Sequence, residues 1–271
     1  MPAAKLPFGD IVGESFGFFF ANLSLFFHLV TVPWILSLVL RIVGSAIGTE
    51  SMLVVLAEKA LDALPTVMFT VVWMRVVLLG APRAGGPPGL SWSARESAFL
   101  VHLLQVAGIT FVLIAAFILT VGPLDPSMLS GGGASDPELA RRESTAAPLG
   151  IGFMVSAILA LRVIFGLAAT AVDLPFTPRL SWAYSRGNSW TIIGALFVIF
   201  FANAIVTMMA ALVPLAMIRG LLGANSAAAL VAWAAATLVS YGGVAVAATA
   251  QAIIFRRLTG WREGVPLAPP S

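Results

Sequence analysis

Long apolar stretches without charge alternate along this chain with short polar ones. Six of them reach the roughly 20 residues that a helix needs to cross a bilayer: Phe16–Leu40, Ala60–Gly80, Ser97–Val121, Leu149–Val172, Trp190–Ile218 and Ala227–Phe255. Charges fall between the stretches, apart from Asp62 and Arg75 near the two ends of the second and Arg162 inside the fourth. The pattern predicts an all-α, polytopic membrane protein with six transmembrane helices. Residues 1–262 form one transmembrane domain, residues 122–148 an outer loop and residues 263–271 a flexible tail. The first apolar run is longer than the core of a cleaved signal peptide, so it is expected to be a retained helix.

Composition agrees with the pattern. Of 271 residues, 59% are hydrophobic and 10% charged, against about 25% charged in soluble domains. There is no cysteine, which excludes thiol catalysis, disulfides and cysteine-ligated metals. The net charge of +3 reflects loop residues rather than a nucleic-acid surface. Nine Lys and Arg residues lie on the side of the termini and four on the other: Lys5, Arg75, Arg83, Arg95, Arg179, Arg186, Arg256, Arg257 and Arg262 against Arg41, Arg141, Arg142 and Arg219. By the positive-inside rule both termini are expected in the cytoplasm, with the protein in a bacterial inner membrane. Ala81–Gly89 reads as a flexible connector. In the outer loop, Ser135-Asp136-Pro137-Glu138 reads as the start of a short helix through Arg142.

Fragments recur. Leu90-Ser91-Trp92 equals Leu180-Ser181-Trp182, and Ser15, Phe18 and Asn22 match Ser181, Tyr184 and Asn188 in spacing. They predict a threefold repeat: an amphipathic cytoplasmic lead-in segment, a span, an outer turn and a returning span. Two stretches, ESFGFFFANLSLFFHLVTVPWIL (14–36) and PRLSWAYSRGNSWTIIGALFVIF (178–200), carry a further likeness. With Ser181-Trp182, Gly187-Asn188 and Trp190 they resemble the membrane domain of glycerophosphoryl diester phosphodiesterases and the YciC-type bacterial inner-membrane proteins. By residue the resemblance covers only these stretches. It implies a stand-alone membrane domain without the hydrolase, which in that family is a separate soluble domain.

Arg162 is the sharpest chemical signal. A cation near the bilayer centre costs about 2.5–3.5 kcal/mol or more, so it should face the bundle and be paired. His28, Asn203, Ser240 and Tyr241 lie at similar depth and are expected to form an intramembrane polar pocket with it. None of them is an acid. Either Arg162 bonds backbone carbonyls and amides, or it receives an outside anion such as a lipid phosphate. His28 is expected to be buried and hydrogen-bonded, and His102 to sit at the interface. Glu58, Lys59 and Asp62 read as a solvated outer helix end. Arg179, Trp182, Arg186 and Trp190 form a basic–aromatic segment suited to anionic headgroups. Ala228, Ala232, Ala236, Ser240, Gly243, Ala247 and Ala250 make a small-residue stripe that places span six in the bundle centre or at a dimer seam.

No catalytic motif is present, and no cofactor or metal site is expected. The reading is a non-enzymatic membrane protein that associates with lipid or organises another membrane protein, with membrane lipids, a second copy or another membrane protein as partners and no nucleic acid. The alternative is a small secondary transporter.

Overall fold

The computed structural model describes residues 5–47, 52–84, 92–121, 152, 154–156, 158–175, 177–222, 226–265 and 267. The outer loop and the short helix expected in it, residues 85–89 of the Ala81–Gly89 connector and most of the tail lie outside the described residues. Everything regular within them is helical. The elements are α1 (Phe8–Ala21), α2 (Leu23–Ile47), α3 (Met52–Leu79), α4 (Ala94–Val121), α5 (Met154–Ala171), α6 (Pro178–Tyr184), α7 (Ser189–Leu222) and α8 (Ser226–Thr259). Six of them, α2 to α5, α7 and α8, are long and apolar enough to cross a membrane. The chain is a multi-pass membrane protein. Six crossings return both chain ends to one face, called here the termini face.

The first span begins at Leu23 rather than Phe16. The helix is interrupted at Asn22 (φ −117°, ψ 28°), whose side-chain Nδ2 donates to the Phe18 carbonyl at 2.8 Å. Hydropathy alone joins two helices here because α1 is as apolar as α2. Asn188 occupies the matching junction between α6 and α7, and Ser15 and Ser181 are both fully buried. The first and third units thus share a short lead-in helix, a break at Asn and a long span. In the second, α4 starts at Ala94, two residues after Trp92. Ser93 and Glu96 cap that start together: the Ser93 N–H donates to Glu96 Oε2 at 3.0 Å, and Ser93 Oγ accepts from the Arg95 N–H at 3.2 Å.

Helix α8 is the hub. It packs on α7, α1, α3, α2 and α5, and from Ala245 to Phe255 every residue is buried. Its small side chains let neighbours approach closely, the packing mode available where lipid tails are as apolar as leucine. Interhelical hydrogen bonds fasten α2 and α3 to it, among them Trp34 Nε1 to the Ala234 carbonyl (3.0 Å), Ser37 Oγ with Tyr241 Oη (2.8 Å) and Trp73 Nε1 to Thr249 Oγ1 (2.9 Å). Phe19, Phe26, Phe69, Trp73 and Tyr241 form a chain of edge contacts and one stacked pair around these bonds. By contrast α4 and α7 leave long apolar faces uncovered, with Phe111 and Phe201 among the exposed side chains.

The tightest contact joins α7 to α8. A Cβ at Gly243 would lie 1.8 Å from the Asn203 carboxamide, so glycine is required for the seam as it stands. Gly243→Ala is expected to displace that amide, break its contact with Thr207 (3.3 Å), and cost about 1–3 kcal/mol. Thermal unfolding in detergent should show the loss, and adding Asn203→Ala should recover most of it.

Candidate functional site

Two polar groupings emerge, on opposite faces of the bundle. On the termini face, α6 and the turn after it fold back along α5. Thr177 caps α6 by accepting from the Leu180 N–H at 3.3 Å, and Pro178 occupies its first turn. This return brings polar atoms to Arg162, which lies nine residues before the end of α5, or about 14 Å at 1.5 Å per residue. Arg162 Nε donates to Ser185 Oγ at 2.8 Å, Nη2 reaches the Trp182 carbonyl at 3.4 Å, and the guanidinium lies 3.5 Å from the centre of the Trp182 ring. Of the two readings left open by the sequence, the first is observed: Arg162 bonds a carbonyl and a hydroxyl. It also lines a cavity of about 430 Å³ with Gly187, Ser189, Trp190 and Thr191. Arg179, Trp182, Arg186 and Trp190 are exposed around it, Trp190 by 80%. Among the described residues no carboxylate pairs with Arg162, Arg179 or Arg186.

The expected convergence of Arg162 with His28, Asn203, Ser240 and Tyr241 does not occur. Arg162 is taken by α6. His28 is exposed on the outside of α2, next to the exposed Phe27, rather than buried. Asn203 lies on the α7–α8 seam over Gly243. Ser240 and Tyr241 do share a cavity, but with other partners. His102 is buried rather than interfacial, with Nδ1 3.2 Å from Thr170 Oγ1 on α5. Each difference has the same origin: depth along a span can be counted from sequence, whereas rotation about its axis depends on neighbours.

The second grouping is a cavity of about 390 Å³ toward the opposite face, between α2, α3, α7 and α8. Ser37, Arg41, Glu58, Lys59, Asp62 and Tyr241 are among its lining residues, with Thr66, Thr207, Trp233 and Ser240. Asp62 is not a solvated helix end. Helix α3 starts ten residues earlier, at Met52, so Asp62 is carried into the bundle and its Oδ1 is buried without a hydrogen-bond partner. Lys59 and Glu58 pair at 3.5 Å. Arg41, read from the sequence only as a topology marker, lies 5.8 Å over the Trp233 ring. A signal for this cavity was present: Glu58, Asp62 and Thr66 follow at intervals of four, one polar face continuing into the span. An apolar cavity of about 330 Å³, lined by Phe16, Phe19, Phe20, Phe26, Phe27 and Asn203, lies across α8 from it. At 100° per residue, Thr237, Ser240 and Tyr241 face one cavity, and Val239, Gly242 and Val246 the other.

A third polar cluster is structural. Arg75 on α3 donates from Nε to the Ala84 carbonyl (3.0 Å) and from Nη1 to the Ala171 carbonyl at the end of α5 (3.1 Å). It thereby holds Ala81–Arg83 as a 3₁₀ turn, a correction to the flexible connector expected there. Asp173, with a positive φ of 62°, accepts from Nε and Nη2 of Arg95 at 2.8 Å each, a bidentate pair, and lies 3.5 Å from Arg75 Nη1. The ends of α3, α4 and α5 are tied through this one carboxylate.

No family model, curated protein or solved structure matches the chain.

The hydrogen bonds from Arg95 hold the Asp173 carboxyl below its ordinary value, with the charges of Arg95 and Arg75 adding to them against partial burial. A depressed folded value means stability that is present above the ordinary carboxylate range, about 3.9, and lost as the pH falls through the folded value. Asp173 is half exposed, so solvent screening limits the contribution to roughly 1 kcal/mol or less. Asp173→Asn keeps a residue that tolerates positive φ. It should lower the thermal midpoint at pH 7, and the gap to wild type should close as the pH falls below about 4. A gap unchanged with pH would show that the charge of Asp173 is not what ties the helices.

Proposed function

We propose that this multi-pass protein binds and organises anionic lipid in the leaflet at its termini face, without catalysing a reaction, in the cytoplasmic leaflet of a bacterial inner membrane. The observation that carries the reading is the set Arg162, Arg179 and Arg186, which has no carboxylate partner among the described residues. Of these, Arg162 lines a cavity between α5 and the start of α7, and Arg179 and Arg186 are exposed on α6 and the turn that follows it. Arg162 is oriented by Ser185 and Trp182, a preorganised planar donor of the kind that suits a phosphate. Trp182 and Trp190 supply the amphipathic rings favoured at headgroup depth. Lipid as partner supports a scaffolding or accessory role beside a second copy or another membrane protein, for which the bare faces of α4 and α7 offer surface. The likeness of residues 14–36 and 178–200 to glycerophosphoryl diester phosphodiesterase membrane domains belongs to the same proposal.

A second reading, a small-solute transporter, is favoured by the polar cavity on the other face. Ser37 and Tyr241, hydrogen-bonded to each other at 2.8 Å, are among its lining residues.

Lipid binding is tested by mass spectrometry of lipid co-purified with the full chain and by thermal stabilisation in nanodiscs with and without phosphatidylglycerol. Arg186→Gln removes an exposed charge that has no structural partner. It should lower the preference for anionic lipid roughly fivefold, the equivalent of about 1 kcal/mol per basic residue, at unchanged folded yield. Arg162→Gln should lower both. Equal stabilisation of wild type and Arg186→Gln by phosphatidylglycerol would sink the proposal.

A further inference from the structure

The polar cavity toward the face opposite the termini presents two unpaired charges of opposite sign on different helices. Asp62, on α3, has an oxygen sealed from solvent and bonded to nothing. Arg41, on α2, stacks over Trp233 and has no carboxylate partner among the described residues. Lys59 and Glu58 at the rim pair with each other at 3.5 Å, so they do not compensate either one. A buried carboxylate oxygen without a donor is costly, and the usual remedy is a partner. Among the described residues none is supplied.

The hydroxyls beside Asp62 do not fill the gap, because their protons point elsewhere. Thr66 Oγ1 donates to the Asp62 backbone carbonyl at 3.0 Å. Ser37 and Tyr241 share one hydrogen bond at 2.8 Å, and Tyr241 reaches the Pro33 carbonyl at 3.4 Å. With those protons committed, Ser37, Thr66 and Tyr241 offer oxygen lone pairs to the cavity they line with Asp62, so this part of the lining is rich in acceptors. A primary ammonium, with three N–H donors, is its complement, and a quaternary ammonium is not. Among the described residues no set of three carboxylate or histidine ligands occurs, and hard divalent ions call for more oxygen ligands than this wall offers. On the Arg41 side the complement is an anion. The volume of about 390 Å³ lies within the range of small-molecule sites.

We propose that this cavity binds a zwitterion carrying a primary ammonium and an anionic group, the ammonium at Asp62 with Ser37, Thr66 and Tyr241, the anion at Arg41. The site is separate in residues and in membrane face from the basic–aromatic lipid surface. Such a zwitterion is found in free amino-acid-like solutes and in ethanolamine phospholipid headgroups.

The test uses the purified full chain in detergent and reads thermal stabilisation against the concentration of phosphoethanolamine, with ethanolamine and inorganic phosphate as half-ligands. Wild type should respond to phosphoethanolamine at concentrations at least about tenfold lower than to either half. Asp62→Asn should be at least as stable as wild type when empty, because it relieves an unpaired charge. It should lose the response to ethanolamine and at least about tenfold in affinity for the zwitterion. Arg41→Gln should keep the ethanolamine response and lose the advantage conferred by the phosphate. If Asp62→Asn does not fold, Thr66→Ala tests the acceptor wall in its place and should weaken both amine probes. Nanodiscs containing phosphatidylethanolamine or phosphatidylcholine separate the sources. Stabilisation by the former alone, lost on substitution, assigns a lipid headgroup. A response to the soluble probe with no difference between the lipids assigns a free solute. No shift with phosphoethanolamine, or an equal shift in wild type and in Asp62→Asn or Thr66→Ala, overturns the proposal.

Discussion

Hydrocarbon offers no water to take over an unmade hydrogen bond, and the bundle is ordered by where its polar side chains find partners. Trp34, Ser37 and Trp73 each spend a donor or a hydroxyl on α8. Thr249 both accepts from Trp73 and donates to the Ala245 carbonyl at 2.8 Å. These bonds fix the rotation of α2 and α3 about their axes, which apolar packing against lipid-like side chains would leave nearly free. Once α2 and α3 are set, the Phe19–Phe26–Trp73–Phe69–Tyr241 chain packs between them, and α7 closes on α8 at Gly243. Helix α8 can serve as common partner because its residues are small. A helix of leucines would hold its neighbours too far apart for a tryptophan N–H to reach a backbone carbonyl.

Sequence showed the elements more clearly than their relations. Six spans, the central place of span six and the lead-in segments of the first and third units were legible from hydropathy, small-residue spacing and the shared Ser, aromatic and Asn positions. The boundary at Asn22 was not, because α1 and α2 do not differ in polarity. Arg162 was rightly singled out as a residue in need of partners, and its partners were not legible, because Trp182 and Ser185 come from a segment that returns along α5. Counting from the span ends placed Arg162 beside Ser240 and Tyr241, whereas the chain places it beside α6. Asp62 shows the converse. Starting the helix ten residues earlier turns a rim charge into an interior one, and the fourfold spacing of Glu58, Asp62 and Thr66 was the visible trace of that.

The two faces treat charge differently. On the termini face Asp173 is saturated by Arg95 and Arg75, Glu14 pairs with Arg257 at 2.5 Å, and Glu263 pairs with Arg83 at 2.6 Å. Among the described residues, the cations without a carboxylate partner on that face include Arg162, Arg179 and Arg186, of α5, α6 and the turn that follows, besides Lys5, Arg256 and Arg262. Excess of one sign at headgroup depth is the arrangement that attracts an anionic surface. In the opposite cavity the signs balance, two cations against two anions among the lining residues, and among the described residues only Lys59 and Glu58 pair.

That balance bears on what the cavity is for. Had Asp62 and Arg41 been retained for stability alone, the better solution would be to pair them with each other or replace them with apolar side chains, since a buried ion pair is seldom more stable than a hydrophobic one. Instead Arg41 is drawn aside onto Trp233, which orients its guanidinium through the ring face, and no carboxylate among the described residues takes its N–H edges. Asp62 is backed by hydroxyls whose protons are already committed elsewhere. Both charges are therefore held in place by groups that do not neutralise them. Such an arrangement destabilises the empty protein and gains from a ligand that completes it, whereas a purely structural pair would lose nothing by closing.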